Sequence, residues 1–289
     1  MNEILQKEVL GPDIKLIEVS ASHIARKAQA GQFVILRVSE EGERIPLTIA
    51  DCSRRRGTIG LVFQEVGKTT KDLGRLDVGD RILDLIGPLG HPTQIERYGT
   101  VVCVGGGIGI APIYPITKAL KQAGNRITSI IGARNKDLLF WEEKMRAVSD
   151  ELIVTTDDGS YGRHGLVTQP LKELLDGPQR TDLVFAVGPA VMMKFVARTT
   201  EPYHVRTLVS LNSIMIDGTG MCGGCRVSVD GRTKFVCVDG PDFDAHQVDF
   251  DLLMARQRAY LEEEKIALHT CRLESTRPRP PCRARVEPS

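Results

Sequence analysis

The stretch "VVCVGGGIGIAP", residues 101–112, decides the fold of the middle of this chain. Its apolar start leads into four glycines, Gly105, Gly106, Gly107 and Gly109. Pro112 then suits the first turn of a helix, so backbone N–H groups at this turn can approach a phosphate at the positive end of the helix dipole. Ile110 stands where G-x-G-x-x-G would place its last glycine. Taken alone, the stretch fits a tight glycine turn as well as it fits a dinucleotide site.

The pattern around this turn favours the dinucleotide site. Residues 98–206 alternate buried-type strands with helix-like stretches, which is typical of βαβ units around a parallel sheet. Two later strands end in glycine-rich loops, "TTDDGSYGRHG" (155–165) and "VGPAVMM" (187–193), and ligands of open α/β sheets bind at the carboxyl ends of the strands. These loops add six candidate dinucleotide residues: Asp157, Asp158, Gly159, Gly188, Pro189 and Met192.

Different patterns flank this domain on each side. Residues 1–97 contain short runs rich in valine and isoleucine between glycines, which predict a small antiparallel β-barrel or sandwich, of which we expect the barrel. Residues 207–262 carry a cysteine-rich segment and the start of a predicted helix, "DFDLLMARQRAYLEEEK". We expect residues 263–289 to form the end of that helix and a disordered tail, because the last residues are rich in Pro and Arg and poor in apolar side chains. The predicted fold class is therefore a β-barrel followed by an α/β domain and a small C-terminal subdomain.

The composition excludes several classes of function. The 289 residues are 42% hydrophobic, and 38 basic residues against 37 acidic ones leave a net charge of +1. Such a balance gives no electrostatic footprint for nucleic acid or an anionic membrane. The N-terminal "MNEILQKEVL" lacks the pattern of a signal peptide, so we expect a cytoplasmic protein. In that reducing compartment, seven cysteines indicate metal ligands or buried thiols rather than disulfides.

The segment "DGTGMCGGCRVSVDGRTKFVC", residues 217–237, has the spacing of an iron–sulfur site. Plant-type [2Fe–2S] proteins use C-x4-C-x2-C and a distant fourth cysteine. Cys222, Cys225 and Cys237 match three of these positions, and Asp217 stands in place of the first cysteine. A carboxylate oxygen can ligate iron, so the predicted ligands are these four residues.

Three other interpretations of the segment stay open at the level of sequence. Three cysteines and one other ligand also suit a structural zinc ion. Cys222 and Cys225 also have the spacing of a redox pair, although no thioredoxin-like unit surrounds them. Finally, Cys271 or Cys282 is a candidate fourth ligand, which would reduce Asp217 to a turn residue.

Taken together, the barrel region, "GGGIGIAP", "TTDDGSYGRHG" and "VGPAVMM" resemble the ferredoxin–NADP reductase superfamily. The stretches "LNSIMIDGTGMCGGCRVSV" and "KFVCVDGPDFDAH" narrow the likeness. They are similar to the electron-transfer subunits of type B dihydroorotate dehydrogenase and, more closely, to the small subunits of NADH-dependent ferredoxin:NADP oxidoreductase, also called sulfide dehydrogenase. The resemblance covers about residues 1–260 and supports the aspartate in the ligand set.

The resemblance implies that the barrel holds FAD. The superfamily motif Arg-x-Tyr-Ser/Thr corresponds to "RIPLTI", where Leu47 takes the tyrosine position and Thr48 the hydroxyl position, while the arginine, Arg44, comes one residue early. A second flavin segment resembles "EVGKTTKDL". The flavin residues that the resemblance implies are Arg44, Pro46, Leu47, Thr48, Gly67, Lys68, Thr69 and Thr70.

These parts predict an electron-transfer chain. Nicotinamide gives up a hydride and an iron–sulfur cluster takes single electrons, so a flavin is needed between them. Positioning rather than acid–base chemistry is then the protein's task, and we assign no catalytic residue. The resemblance favours NAD(H), whereas Arg134, at the end of the second strand, would suit the 2′-phosphate of NADP(H). The implied partner is a larger flavoprotein with [4Fe–4S] clusters, and ferredoxin would act through it.

Two other functions remain as alternatives. The chain is similar enough to the dihydroorotate dehydrogenase subunits to be one of them, but those subunits are expected to carry four cysteine ligands instead of Asp217. A nucleotide-binding module with a structural zinc ion would fit the glycine turn and the cysteines without any redox activity. Colour separates the two classes, because a flavin–iron–sulfur protein absorbs visible light and a zinc protein does not.

Overall fold

The computed structural model describes the backbone of residues 2–275 and the side chains of residues 2–270. The tail predicted at the C-terminus lies outside the described residues from 276 onward. Within the described part, the chain forms an antiparallel sheet, a mainly parallel sheet and a small C-terminal part, in that order. None of the helices described is both long enough and apolar enough to cross a membrane.

The N-terminal part is a six-stranded antiparallel sheet. Its strands are β1 (Ile4–Gly11), β2 (Ile14–Ser20), β3 (Phe33–Arg37), β4 (Ile45–Ser53), β5 (Thr58–Gln64) and β6 (Asp84–Leu89), paired in the order β1-β2-β5-β4-β3-β6. Two short helices accompany it, α1 (Ser22–Lys27) and α2 (Lys68–Arg75). Alternate strand residues such as Ile17, Leu36 and Leu61 are fully buried and form its core. The sheet is barrel-like without full closure: in the described residues, an isolated bridge between Glu3 and Arg81 links the β1 side to the segment before β6.

The middle of the chain forms the parallel sheet that the sequence predicts. Its strands are β7 (Thr100–Gly106), β8 (Arg126–Ala133), β9 (Glu151–Thr156), β10 (Arg163–His164), β11 (Leu183–Val187) and β12 (Arg206–Ser210). Four helices follow strands of this sheet, α3 (Ile110–Gln122), α4 (Glu142–Ala147), α5 (Thr168–Asp176) and α6 (Ala190–Thr200). The spatial order β10-β9-β8-β7-β11-β12 reverses direction between β7 and β11. Such a switch point is where open α/β sheets bind ligands.

The C-terminal part is attached to the edge of this sheet. It contains β13 (Arg226–Val229), β14 (Arg232–Phe235), α7 (Val236–Asp239), β15 (Asp242–Asp244), α8 (Phe250–Gln257) and α9 (Leu261–Ser275). Strand β15 pairs antiparallel with β12, and β13 forms a hairpin with β14. The prediction of one continuous helix is wrong here, because α8 ends at Gln257 and α9 starts at Leu261. In α8, Phe250 and Leu253 are buried, whereas the described side chains of α9 are exposed or partly exposed.

The three parts share buried surfaces. Ile14, Ala50 and Val62 of the first sheet lie in one apolar cluster with α3 and the parallel sheet. Phe33 and Ile35 of β3 lie in another, which contains the buried side chains of the cysteine segment. Both the nucleotide-binding sheet and the cysteine segment are therefore packed directly against the barrel-like sheet.

Candidate cofactor sites

The predicted glycine turn sits at the switch point of the parallel sheet. Strand β7 ends at Gly106, a short 3₁₀ turn follows, and α3 starts at Ile110. A Cβ on Gly109 would stand 2.2 Å from the carbonyl oxygen of Val187, at the end of β11, so only glycine fits this contact. Gly107 has a φ of +55°, and a Cβ there would meet nothing within 4 Å. The turn thus packs on β11 through Gly109 and faces open space at Gly107.

That open space is a cavity of about 480 Å³ between the two sheets. Six of the predicted dinucleotide residues line it: Gly106, Gly107, Arg134, Asp157, Pro189 and Met192. The backbone amides at the start of α3 lie beside it, at the positive end of the helix. The cavity therefore offers backbone donors for phosphates and one charged side chain of each sign for a ribose.

The other predicted dinucleotide residues do not line the cavity but lie next to residues that do. A Cβ on Gly105 would stand 2.9 Å from Ile113, and one on Gly188 would stand 2.7 Å from Met192, so both glycines permit close packing. The side chain of Ser160, together with its N–H, which donates to Asp158 at 2.9 Å, lowers the pKa of this exposed carboxyl. Gly159 turns the same loop with a φ of +73°.

Sequence reasoning missed several residues of this cavity. Ile14 and Gln64 reach it from the first sheet, across the domain boundary. Leu166, Val191 and Phe195 form an apolar wall and are about half exposed. Exposed apolar side chains grouped in a concave surface are typical of ligand sites. The helical spacing of Val191 and Phe195, four residues apart, was the available signal for part of this wall.

The predicted flavin residues lie on β4 and at the start of α2. Leu47 packs against the core of the first sheet, and strand alternation turns Thr48 towards the opposite face. The Gly67 N–H donates to the Thr70 hydroxyl at 3.1 Å, and the Thr69 hydroxyl donates to Glu43 at 3.2 Å. These contacts hold the first turn of α2 in place.

The surroundings of these residues fit a flavin nucleotide. A Cβ on Gly67 would meet nothing within 4 Å, so the backbone at the start of α2 borders open space. A helix start with free space beside it suits a pyrophosphate. Arg44 is exposed, Lys68 is paired with Asp72 at 2.7 Å, and Pro46 is half-buried on β4. The residues predicted for FAD therefore occur on two neighbouring elements with room for a ligand.

Two of the three cysteines of the iron–sulfur segment are in contact. The sulfur atoms of Cys225 and Cys237 lie 3.2 Å apart, and both residues are buried. Burial, with the Cys225 thiol beside it, raises the pKa of Cys237 to about 12. Since metal ligation requires thiolates, loading this pair must release protons.

Asp217 and Cys222 form a second pair in the same loop. The Asp217 carboxylate accepts hydrogen bonds from the N–H groups of Thr219 at 2.9 Å and Cys222 at 2.8 Å. The Thr219 bond is the main reason that the pKa of Asp217 is lowered, and the Cys222 side chain adds to the effect. The charge of Asp217 also acts on Cys237, so the two pairs are within electrostatic reach of each other.

This pairwise arrangement fits a two-iron cluster better than a single ion. Within the described residues, no three His, Cys, Asp or Glu side chains converge on one metal position. A tetrahedral zinc ion needs four ligands around one point, whereas each iron of a [2Fe–2S] cluster takes two protein ligands. The Gly224 N–H also points at the Cys222 sulfur, 3.4 Å away, as amides do around cluster sulfurs.

Cys52, Cys103 and His246 make contacts away from the four proposed cluster ligands. Cys52 donates to the Ala25 carbonyl at 3.2 Å, and Cys103 is buried in β7, which raises its pKa to about 12. His246 shares a hydrogen bond of 2.9 Å with Thr200. The side chain of Cys271 and all of Cys282 lie outside the described residues.

Comparison with known proteins matches two stretches of this chain to recognised domains. Residues 103–198 match the oxidoreductase NAD-binding domain, and residues 212–249 match the iron–sulfur cluster binding domain of dihydroorotate dehydrogenase B. A Thermotoga maritima protein described as "dihydroorotate dehydrogenase B (NAD(+)), electron transfer subunit homolog" is 48% identical over 267 residues, covering 92% of this chain and 94% of that protein.

Solved structures agree with this fold. A chain of the NADH-dependent reduced ferredoxin-NADP oxidoreductase, studied for flavin-based electron bifurcation, is 47% identical with a TM-score of 0.89; the match covers 93% of this chain and 97% of that one. A Neisseria gonorrhoeae ferredoxin NADP+ reductase with bound FAD and NADP has a TM-score of 0.60 at 19% identity, covering 70% and 90% of the two chains. The second likeness shows the fold alone, and it confirms the predicted fold class.

Proposed function

This chain belongs to the family of dihydroorotate dehydrogenase B electron transfer subunits and their homologues, and we propose that it carries electrons between NAD(H) and a larger redox partner through FAD and a [2Fe–2S] cluster. The NAD-binding and iron–sulfur binding domains make it an oxidoreductase subunit. The observation that carries the proposal is the pairing of Asp217 with Cys222 and of Cys225 with Cys237, in a chain whose glycine turn borders a dinucleotide-sized cavity.

The dinucleotide would be held by the cavity between the two sheets. Gly107 and the first amides of α3 are placed to bind its phosphates, and the apolar wall around Phe195 is placed to exclude water from its rings. Asp157 favours NAD(H), because a carboxylate accepts a bond from a ribose hydroxyl and repels a 2′-phosphate. Arg134 lines the same cavity and would favour NADP(H), so the balance between Asp157 and Arg134 would set the selectivity for the two nucleotides.

FAD would be held by β4 and α2, through the backbone at Gly67 and the hydroxyl of Thr48. Bound FAD exchanges a hydride with nicotinamide and single electrons with an iron–sulfur centre. The task of this chain is to orient the two ring systems and to keep water from them. The packing of Ile14, Ala50 and Val62 against the parallel sheet holds the two binding surfaces in a fixed relation.

The cluster would be held by Asp217, Cys222, Cys225 and Cys237. Buried Cys225 and Cys237 anchor one side of the site in the core, while Cys222 is exposed. A site with one exposed ligand can pass electrons to another protein at short range. Ile216, Met221 and Val238 are exposed apolar side chains of this region, and Met221 is 89% exposed, which suits a protein contact.

These features support a partner subunit at the cluster end of the chain. We propose a larger flavoprotein with [4Fe–4S] clusters as this partner, with ferredoxin acting through it, in the reducing cytoplasm. The alternative partner, a dihydroorotate dehydrogenase catalytic subunit, is favoured by the family description of residues 212–249. Asp217 in the first ligand position favours the ferredoxin-linked type, and the partner that co-purifies from native cells decides between them.

The test is anaerobic titration of the purified chain with NADH. We expect a coloured protein that contains FAD, iron and sulfide, whose flavin absorbance falls on NADH addition and whose cluster then gives an electron paramagnetic resonance signal. The same titration with NADPH is the matched comparison and should require more nucleotide. A colourless protein with one bound zinc ion would overturn the proposal.

A further inference from the structure

Helix α8 is tied to the iron–sulfur loop by the side chains of its last two residues, Arg256 and Gln257. The Arg256 guanidinium donates to the Gly224 carbonyl oxygen at 3.1 Å, and Gly224 lies between the proposed ligands Cys222 and Cys225. The next residue, Gln257, donates to the backbone and side-chain oxygens of Asn212 at 2.9 and 3.1 Å. The helix therefore holds both the start of the loop and its ligand-bearing turn.

The same arginine borders a positively charged cavity beside Cys222. This cavity, of about 320 Å³, is lined by Cys222, Gly223, Gly224, Arg226, Arg256 and Tyr260, with other side chains that include no acidic group. The Arg226 guanidinium approaches to 3.4 Å from the point where a Cβ on Gly223 would stand. In the described part of the chain, neither arginine forms a salt bridge, so their charges are not offset by a carboxylate.

The net charge of the cluster determines how a nearby cation affects its reduction. Two ferric ions and two sulfides ligated by three thiolates and one carboxylate carry a net charge of about −2, which becomes −3 when one electron is added. A guanidinium stays protonated at all relevant pH values, and its attraction to the reduced state exceeds its attraction to the oxidised state. A cation near the cluster therefore favours reduction.

From this geometry we infer that Arg256 is a positioning residue that holds the Cys222–Cys225 turn and raises the reduction potential of the cluster. The inference rests on the proposed function, since it requires the cluster to be bound at this loop. Arg256 is better suited to this role than Arg226, because it is half-buried and bonded to the loop backbone, whereas Arg226 is exposed. Partial burial reduces screening by solvent and salt.

The test is a potentiometric titration of the purified chain followed by electron paramagnetic resonance. Arg256→Gln keeps a side-chain donor but loses the charge. We expect it to retain the cluster and to lower the ratio of reduced to oxidised cluster about tenfold at a fixed potential, which is about 59 mV for one electron. Arg256→Lys restores the charge and should return the ratio close to that of wild type.

Arg258→Gln is the matched control, because Arg258 is an exposed arginine just after α8 that does not line the cavity. The flavin potential is an internal control and should not move. The inference is overturned if Arg256→Gln changes the ratio no more than Arg258→Gln does. If Arg256→Gln loses its cluster, Arg256→Lys decides the question. A ratio of reduced to oxidised cluster close to wild type in Arg256→Lys supports the inference, and a tenfold lower ratio overturns it. A wild-type chain without any cluster would instead contradict the proposed function itself.

Discussion

The nucleotide-binding edge and the iron–sulfur loop are built in opposite ways. At the nucleotide edge, β7 pairs with β8 and β11 along its length, and the glycine turn follows directly from that sheet. The iron–sulfur loop has no strand from Leu211 to Cys225, and it turns at Gly218, Gly220 and Gly223, all with positive φ. The first site is built largely on the backbone of the fold, whereas the second is formed by side chains, three on a loop and Cys237 on α7.

This difference teaches where each site is vulnerable. A site built on the backbone tolerates changes of nearby side chains, but an added atom that occupies the position of the bound nucleotide should disrupt it. A site built on side chains tolerates small backbone movements, but the loss of one metal-binding side chain should disrupt it. A third position lies between the two sites. Asp242 of β15 lies where the iron–sulfur part joins the parallel sheet, and its carboxylate accepts a hydrogen bond from Thr93 of the domain linker.

Loss of a buried ligand should have the largest effect. Cys225→Ala removes a thiol that contacts Cys237 at 3.2 Å and supplies no other ligand atom, so we expect almost complete loss of cluster iron with FAD still bound. Iron, sulfide and flavin analysis of the purified variant measures this. Cys52→Ala is the matched control, because the Cys52 thiol bonds only to the backbone carbonyl of Ala25 in α1, and the iron content of this variant should equal that of wild type. Equal iron content in both variants would remove Cys225 from the ligand set.

A smaller effect is expected where the two regions join. Asp242 is half-buried as a residue, but its Oδ1 is shielded from solvent, and this burial raises the pKa of its carboxyl to about 6. The folded state therefore holds the proton more tightly than the unfolded state, and stability is lost as the pH rises from about 4 through 6. Ionisation of Asp242 in the folded state therefore costs about 3 kcal/mol more than in the unfolded state.

Asp242→Asn removes that cost. We expect the variant to have a higher free energy of unfolding than wild type at pH 8, by up to about 3 kcal/mol, and a difference of about half that size at pH 5. Urea unfolding of the cofactor-loaded chain, followed by the fluorescence of Trp141, measures both values. An equal loss of stability at the two pH values would show that Asp242 acts only through its hydrogen bond to Thr93.

The smallest effect is expected for one methyl group at the nucleotide edge. Gly107→Ala and Gly124→Ala both place alanine at a positive φ, with nothing within 4 Å of the added carbon, so each should cost about 1 kcal/mol of stability. Only Gly107 borders the cavity, and we expect its variant alone to weaken NADH binding, by about tenfold. Dissociation constants from isothermal titration separate the two. Equal NADH affinity in both variants would place the dinucleotide elsewhere.

The sequence predicted the nucleotide edge better than its surroundings, for a physical reason. A strand, a glycine turn and a helix start are local features, so "VVCVGGGIGIAP" located Gly106 and Gly107 on the cavity wall. Ile14 and Gln64 reach the same cavity from distant strands, and strand alternation cannot tell which residues cross a domain boundary. Strand β1 was also missed, because as an edge strand it is largely exposed and lacks a strong apolar pattern.

For the iron–sulfur loop, spacing predicted candidate ligands but not their arrangement. The C-x2-C spacing and the distant Cys237 are compatible with a zinc site as well as with an iron–sulfur site. The two pairs became visible only through the contact between Cys225 and Cys237 and the bonds of Asp217, which depend on how the hairpin and α7 fold back. The role of Arg256 has no sequence signal, because α8 follows the loop at a distance set by tertiary packing alone.

The role of Asp217 as the fourth ligand is the central claim, and its hydrogen bonds to Thr219 and Cys222 supply the competing account of a mere turn residue. Asp217→Asn keeps a turn-forming acceptor without a carboxylate, and Asp217→Cys loses those bonds but supplies a thiolate. The most direct measurement is the electron paramagnetic resonance spectrum of the reduced cluster in wild type and both variants, with iron content as a check. We predict that Asp217→Cys retains a [2Fe–2S] cluster with an altered spectrum and that Asp217→Asn holds a labile one. A wild-type spectrum and full iron content in Asp217→Asn would contradict the account, and Cys271 would then be the next ligand to test.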